Sequence, residues 1–371
     1  MGKKLFRSKL FGKLFRKPIL TMQPYEAPLE GRRGKDLLAD FNERTGPPHP
    51  LVLEEIGKYV EEGNLQMYPE YGDLNEALGK YIGVDPQELI PTVGGDQGID
   101  IVFRALVKDK DKVIIPKPTF AMFEQSAHIQ GANIISPRYG GSNLDFPFDE
   151  VVKKIKRGVK LVVICNPNNP TGAPVPREQT EYIIKKAASL DIGVLVDEAY
   201  HEFAPELTVL DLIGKYPNIF IIRTFAKTLG IPSLRAGIVV SNEGNIEQLN
   251  KIRGPYDVNM VSVAAMKAMR HPEVIADIKA YVSEVMTVSK PMIEAFYDEM
   301  GVNYYPSSAG FHLLVFPNER ARDEFVNGLK DRKILVRPRS DPPHTVRASI
   351  GTRENTERYI TALRDFIQQN K

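Results

Sequence analysis

A chain of 371 residues, 42% hydrophobic and 26% charged, has the balance of a water-soluble globular protein and is too long for one small core, so two lobes are expected. Its one cysteine, Cys165, excludes an intramolecular disulfide framework and fits a reducing compartment; no apolar run reaches the roughly eighteen residues of a membrane span, and the six histidines form no metal-type cluster. The net charge of +2 hides an asymmetry: seven Lys or Arg and no acid fall in the first twenty residues, leaving 42 basic and 47 acidic residues in a body without a nucleic-acid footprint.

The basic N-terminal arm, 1–23, repeats Lys-Leu-Phe at 4–6, 9–11 and 13–15. From Phe6 its Leu and Phe positions fall mostly on one helical face, with Lys9, Lys13 and Arg16 opposite, a pattern open to a membrane-surface helix or a targeting segment. The myristoylation pattern fails because position six is Phe. The plainer expectation, as for most termini, is an arm that packs on a partner subunit or stays disordered.

From about 90 to 242 short apolar runs alternate with helical stretches. KVIIP, NIISP, KLVVICNP, GVLVDEA, NIFIIRTF and AGIVVSN read as strands, and stretches such as 177–190, REQTEYIIKKAASL, as crossover helices. This alternation predicts an α/β fold with a mostly parallel sheet covered by helices. The last two strands are too close for a crossover, so that pair includes an antiparallel strand. A long helical stretch, about 260–300, then precedes a smaller α+β unit with strands near FHLLVF and VRASIGT.

Four loops at strand ends carry candidate chemistry. In PTVGGDQGIDIVFRAL, 91–106, two glycines precede Asp96 and an amphipathic helix; the exposed N–H groups there would cradle a phosphate, although Gly-Gly-Asp is also a good cap. In CNPNNPTG, 165–172, two Asn-Pro steps and a Thr-Gly force a tight turn, which is either only a turn or a ligand contact offering the Asn169 amide to a ring oxygen.

In VLVDEAYHEF, Asp197 ends a buried strand, where a carboxylate is costly unless paired. It either caps the next helix or faces a protonated heterocyclic nitrogen, with Tyr200 near to donate to a phenolate. In NIFIIRTFAKTLGIPSLRAG, 218–237, Lys227 follows a strand that looks buried on both faces. It is either an ordinary surface lysine or an amine in the cleft where open α/β sheets bind ligands, made nucleophilic toward carbonyls by desolvation. Thr224 and Arg235 suit a phosphate. A phosphate cradle, an acid for a ring nitrogen, donors for a ring oxygen and an amine for an aldehyde are together what pyridoxal phosphate requires.

With NPNNPTG, DEAY and RTFAK…LRAG in this order and spacing, the chain resembles the fold-type I pyridoxal-phosphate enzymes of the class I/II aminotransferases, from about residue 24 onward. PYEAPLEGR, MYPEYGDLNEALGKY, GGDQGID, KPTFAMF, IRGPYDVN and VRASIGTREN make it most similar to the histidinol-phosphate aminotransferases. The resemblance implies a large cofactor-binding domain, 51–258, with a seven-stranded type of sheet. It also implies a segment 24–50 that joins the small domain, and a long connecting helix with a small C-terminal domain, 259–371.

It further implies that Lys227 bonds the cofactor's aldehyde carbon and shuttles protons, that Asp197 holds the pyridine nitrogen protonated, and that Tyr200 and Asn169 bond the ring oxygen. Phe120 would stack on the ring. Gly95, Asp96, Gln97, Thr224 and Arg235 would bind the phosphate, with Tyr68 reaching in from a second subunit of a homodimer. Arg347, Arg337 and Tyr25 would take the substrate's anionic groups. The implied reaction moves an amino group between a donor and a 2-oxo acid, histidinol phosphate with 2-oxoglutarate leading, in the cytoplasm. An aromatic or other amino-acid aminotransferase and a threonine-phosphate decarboxylase-like lyase are the alternatives.

Several positions depart from the family's pattern. Ala226 stands where Ser usually precedes the lysine, Phe120 replaces the commoner Tyr, NERTGPP replaces NENP, GIPSL interrupts the loop after the lysine, and RPRSDPPHTVR is short and carries an extra Arg339.

Overall fold

The computed structural model describes residues 11–26 and 28–369. Two of the three Lys-Leu-Phe repeats therefore lie wholly or mostly outside the described residues. What is described of the arm is two short helices, Phe11–Leu14 and Lys17–Thr21, rather than one amphipathic helix. Pro18 accounts for the break, since it cannot donate to the carbonyl four residues back.

Among the described residues twelve strands are distributed over two sheets: β1 Leu37–Ala39, β2 Leu89–Val93, β3 Lys112–Ile114, β4 Asn133–Ile135, β5 Val159–Cys165, β6 Gly193–Asp197, β7 Ile219–Thr224, β8 Ala236–Val240, β9 Asn303–Tyr305, β10 Phe311–Val315, β11 Ile334–Arg339 and β12 Thr345–Ser349. The larger sheet has the order β2-β8-β7-β6-β5-β3-β4, and only β8 runs against its neighbours.

Its central strands are apolar at nearly every position because both faces are covered. Along β5, Leu161, Val163 and Cys165 enter one core, with Phe103 and Phe123 from the helices Gly94–Leu106 and Ala121–Gln130. Val162 and Ile164 enter the other core, with Ile183 and Ile184 from Arg177–Ala188. The smaller sheet, β1-β11-β12-β10-β9, covers one face with the helices Pro272–Glu284, Lys290–Met300, Glu319–Asp331 and Arg353–Gln369, so Val346 and Ala348 point into that core. Thr345, Arg347 and Ser349 alternate to the opposite face.

All six expected strands of the large sheet form, as does the antiparallel pair. Proline hides two further strands. β2 contains Pro91 and pairs only with β8, the edge position where a missing N–H is tolerated, and β11 contains Pro338 beyond the stretch that pairs with β1. The stretch from 260 to 300 is not one helix. It breaks at His271, before Pro272, and widens to a π turn at Val285–Ser289.

Candidate active site

One edge of the large sheet gathers the C-terminal ends of β2, β5, β6 and β7. Because β8 is antiparallel, its start lies on the same edge, which brings Arg235 beside Gly94 and Thr224. The approach is so close that glycine is required twice. A Cβ on Gly237 would stand 2.6 Å from the Gly94 carbonyl carbon, and one on Gly94, whose φ is +71°, would stand 2.8 Å from Arg235 Nη2.

The helix Gly94–Leu106 opens on this edge with Gly95, Asp96 and Gln97 in its first turn. The Gln97 side chain accepts from Val93 N at 2.6 Å and donates to Asp257 at 2.9 Å, which ties the first turn of this helix to the strand before it and to Asp257. Asp96 pairs with Arg235 at 2.7 Å near the surface, and the Thr224 hydroxyl accepts from Ala226 N at 3.2 Å.

The asparagines of the loop after β5 divide their work. Asn166 bonds both ways with Val175 at 2.9 Å, and Asn168 bonds Pro118, Thr119 and Thr171, tying this loop to the one that carries Phe120. Asn169 is left for the site. Its amide donates to the Tyr200 hydroxyl at 3.2 Å and its oxygen accepts from Arg347 at 2.6 Å. The Phe120 ring packs edge-on to Phe123, 5.9 Å between centroids.

Two adjacent carboxylates at the end of β6 contrast. Glu198 is buried in an ion pair with Arg223 at 2.7 Å and also accepts from Thr208 and the Val209 N–H. Asp197 is equally buried, yet it has the Ala199 N–H, at 3.0 Å, and no ion pair among the described residues. Burial pushes its pKa up to about 7, helped by the charge of Asp96. A buried carboxylate without a charged partner calls for a cation or a bound proton from outside the chain.

Lys227 follows β7 at the same edge, its Nζ 5.6 Å from the Tyr200 ring centroid and donating to the Phe41 carbonyl at 2.9 Å. Burial, with the nearby Arg347 guanidinium, brings its pKa down to about 8. Burial raises the Tyr200 hydroxyl to about 12. Arg347, on β12, faces inward and also donates to the Asp40 carbonyl at 2.6 Å. Burial lowers its pKa to about 10, and Arg339 and Arg337 push the same way. Arg337 stands opposite it in the β11–β12 register, its guanidinium 5.2 Å from the centre of the Phe41 ring. Tyr25, partly exposed, lies within electrostatic reach of Arg347 and Arg339.

The structure thus brings together Asn169, Asp197, Tyr200, Lys227, Arg337 and Arg347, with the Gly95, Asp96, Gln97, Thr224 and Arg235 cluster at the adjoining strand ends. Tyr68 stands apart, exposed and packed against Tyr256 at 4.7 Å. The segment after β1 contributes residues that the motifs did not reveal. Asn42 donates to the Tyr200 hydroxyl at 3.0 Å and bonds Ser349, while Phe41 and Asp40 supply the carbonyls that hold Lys227 and Arg347. The departure NERTGPP marks this segment in the sequence, and its Asn42 takes a left-handed φ of 53° that asparagine tolerates.

A profile of the Aminotransferase class I and II family matches residues 40–363, and the chain belongs to that family. Over 335 residues it is 32% identical to a histidinol-phosphate aminotransferase of Thermoanaerobacter pseudethanolicus, spanning 88% of this chain and 92% of the relative. It is 29% identical to one of Sulfurisphaera tokodaii, over 88% and 89%.

Among solved structures, a histidinol-phosphate aminotransferase of Sinorhizobium meliloti in complex with pyridoxal-5'-phosphate superposes with a TM-score of 0.86 at 23% identity, covering 96% of this chain and 98% of that one. An L-threonine-O-3-phosphate decarboxylase of Porphyromonas gingivalis superposes at 0.75 and 20% identity, over 90% and 99%. The fold is that of the fold-type I aminotransferases, whose cofactor is pyridoxal phosphate. The residues present fit that group: a buried carboxylate with no ion pair among the described residues, a glycine cradle at a helix start and a desolvated lysine lie at one edge of the large sheet.

Proposed function

We propose that this aminotransferase takes histidinol phosphate as amino donor and 2-oxoglutarate as acceptor, a step of histidine biosynthesis. The observation that carries the reading is the pair Arg337 and Arg347, opposed across β11 and β12 with no ion pair to either among the described residues. Two guanidiniums facing one opening without an acid match an anionic substrate. The naming of the relatives at about 30% identity supports the choice of anion.

Pyridoxal phosphate, when bound, supplies an aldehyde for the substrate amine and a ring that takes up the electron pair left at the substrate carbon. Lys227 Nζ would bond that aldehyde and, once released, take the proton from the substrate's α-carbon. Its lowered pKa keeps a usable fraction neutral near pH 7. Asp197 would hold a proton on the ring nitrogen, the partner its buried carboxylate lacks. The Tyr200 hydroxyl and Asn169 amide would bond the ring oxygen, and Phe120 would cover the ring face.

The N–H groups of Gly95, Asp96 and Gln97, the Thr224 hydroxyl and Arg235 would hold the phosphate, with Ala226 in place of one further hydroxyl. Tyr68, exposed on its own subunit, would complete the phosphate site of a second copy in a homodimer, and Tyr25 would join the substrate anion site. The domain division is proposed at 24–50, 51–258 and 259–371. No described helix is long and apolar enough to cross a membrane; a cytoplasmic location fits such a biosynthetic enzyme, and membrane contact through the basic arm is not favoured.

The threonine-phosphate decarboxylase neighbour gives a second reading weight, because the same arginines suit any phosphomonoester. One experiment separates the readings: single-turnover titration of the holoenzyme with histidinol phosphate, phenylalanine, glutamate and threonine phosphate separately, with products identified. Rapid amino transfer from histidinol phosphate, faster than from phenylalanine, supports the proposal. Preference for phenylalanine moves the enzyme to the aromatic group, and carbon dioxide from threonine phosphate makes it a lyase.

A further inference from the structure

The smaller sheet carries one cation more than an anion-binding pair needs. Arg339 lies two residues beyond Arg337 on β11, so strand alternation puts both side chains on the face from which Arg347 projects, while Pro338, itself exposed, belongs to the opposite face with Val336 and Val346. Like charges side by side on a ladder are destabilising when nothing bridges them. No described acid forms an ion pair with them: Asp341, the carboxylate that acts on Arg339, is held by Arg138 through two bonds of 2.9 and 2.6 Å.

The Nε atoms of Arg339 and Arg347 are both buried without an acceptor. Buried donors are seldom left so, and two of them beside one opening call for oxygens brought from outside. Arg339 is also within electrostatic reach of the Tyr25 and Tyr200 hydroxyls, and the Tyr200 ring in turn lies 5.6 Å from Lys227 Nζ.

A carboxylate presents two oxygens, which one guanidinium satisfies in a fork. A phosphomonoester presents three and carries a charge of about −1.5 to −2 at neutral pH. We propose that Arg339 is a specificity-determining residue that binds the additional oxygen and charge of a phosphomonoester on the amino donor, so that this chain selects a dianion over a singly charged carboxylate. This rests on the phosphorylated-donor reading above and assigns the discrimination to an arginine outside the Arg337–Arg347 pair.

The test compares wild-type, Arg339→Gln and Arg339→Lys holoenzymes with histidinol phosphate and with histidinol, using the glutamate half-reaction as a control for fold. Loss of one charge-assisted contact raises KM for histidinol phosphate about tenfold or more in Arg339→Gln, with kcat within about threefold. Histidinol is unaffected, the KM for glutamate rises by much less than that for histidinol phosphate, and Arg339→Lys falls between. The wild-type preference for the phosphorylated donor weakens as pH drops through about 6, where the phosphate takes its second proton, and this dependence flattens in Arg339→Gln.

A wild type that prefers the phosphate and an Arg339→Gln variant that keeps the same preference overturn the assignment while leaving the donor reading intact. A wild type indifferent to the phosphate overturns both. A KM raised equally for all three substrates shows a structural role and also overturns it. Should Arg339→Gln fail to fold, an Arg339→Lys enzyme with unchanged selectivity is the refuting result.

Discussion

The strand ends of the large sheet and the inner face of the small sheet solve opposite electrostatic problems. At the strand ends, Asp197 is a buried acid with no ion pair among the described residues, and Lys227 near it is an amine pressed toward neutrality. On the small sheet, Arg337, Arg339 and Arg347 are cations with no ion pair among the described residues. The first arrangement suits a group that stays and carries a basic ring nitrogen. The second suits an anion that comes and goes with each turnover, because a resident carboxylate would neutralise the face permanently. Under the proposed function the difference would separate residues for chemistry from residues for choice of substrate, and variants should divide along it.

The largest effect is expected for Lys227→Ala, whose turnover should fall by about 10⁵-fold or more, together with loss of the visible absorbance of the lysine-bound cofactor. Turnover within about a hundredfold of wild type would end the reading of Lys227 as base. Asp197→Asn should lower kcat by about 10³-fold and cofactor affinity by much less. Equal losses in both would mark the residue as structural.

Asp197→Asn also has a pH signature in the cofactor-free protein. The folded value of about 7 lies above the ordinary value near 4, so folding holds a proton that the unfolded chain releases between those pH values. Wild-type stability from this group is present below about pH 4 and is lost as pH rises through 7. The variant should gain relative stability over that window, by up to about 4 kcal/mol, visible as a higher unfolding temperature above pH 7. Glu198→Gln, one residue on, should do the reverse and destabilise by about 3 kcal/mol, because it breaks a buried ion pair.

On the small sheet, Arg347→Ala should reduce kcat/KM for anionic donors by about 10²-fold while the cofactor's absorbance persists. Loss of the absorbance along with activity would merge the two regions and refute the division.

The same division decides what the sequence reveals. The strand-end residues sit in short contiguous motifs, because a parallel strand followed by a tight loop places consecutive residues at one edge. Asn169, Asp197 and Lys227 are accordingly legible from NPNNPTG, DEAY and the run before FAK. The apolar runs of β5 to β8 are legible for the same reason, since burial on both faces leaves little room for polar residues. Asn42, Phe41 and Asp40 are not legible, because their roles depend on contacts with Tyr200, Lys227 and Arg347, which lie 158 to 307 positions away. β2 and β11 are obscured by prolines that only their pairing partners excuse. Arg339 is visible as an extra arginine, but its orphaned Nε appears only once β11 and β12 are paired.

The smallest effect tests whether the strand-end site is complete within one chain. Tyr68 is exposed and rests on Tyr256, away from the glycine cradle of its own subunit in the contacts it makes. If its hydroxyl serves the phosphate of a neighbouring copy, Tyr68→Phe should weaken cofactor binding about tenfold, the value of one hydrogen bond to a charged group, and leave kcat at saturating cofactor nearly unchanged. Mixed subunits give the decisive reading at limiting cofactor. A dimer of one Lys227→Ala chain and one Tyr68→Ala chain contains one site with both residues intact, provided that Tyr68 crosses the interface. Such a mixture should exceed the average of the two parent homodimers and recover tight cofactor binding at one site per dimer. If Tyr68 acts within its own chain, every site in the mixed dimer lacks either the lysine or the tyrosine, and the activity stays at that average.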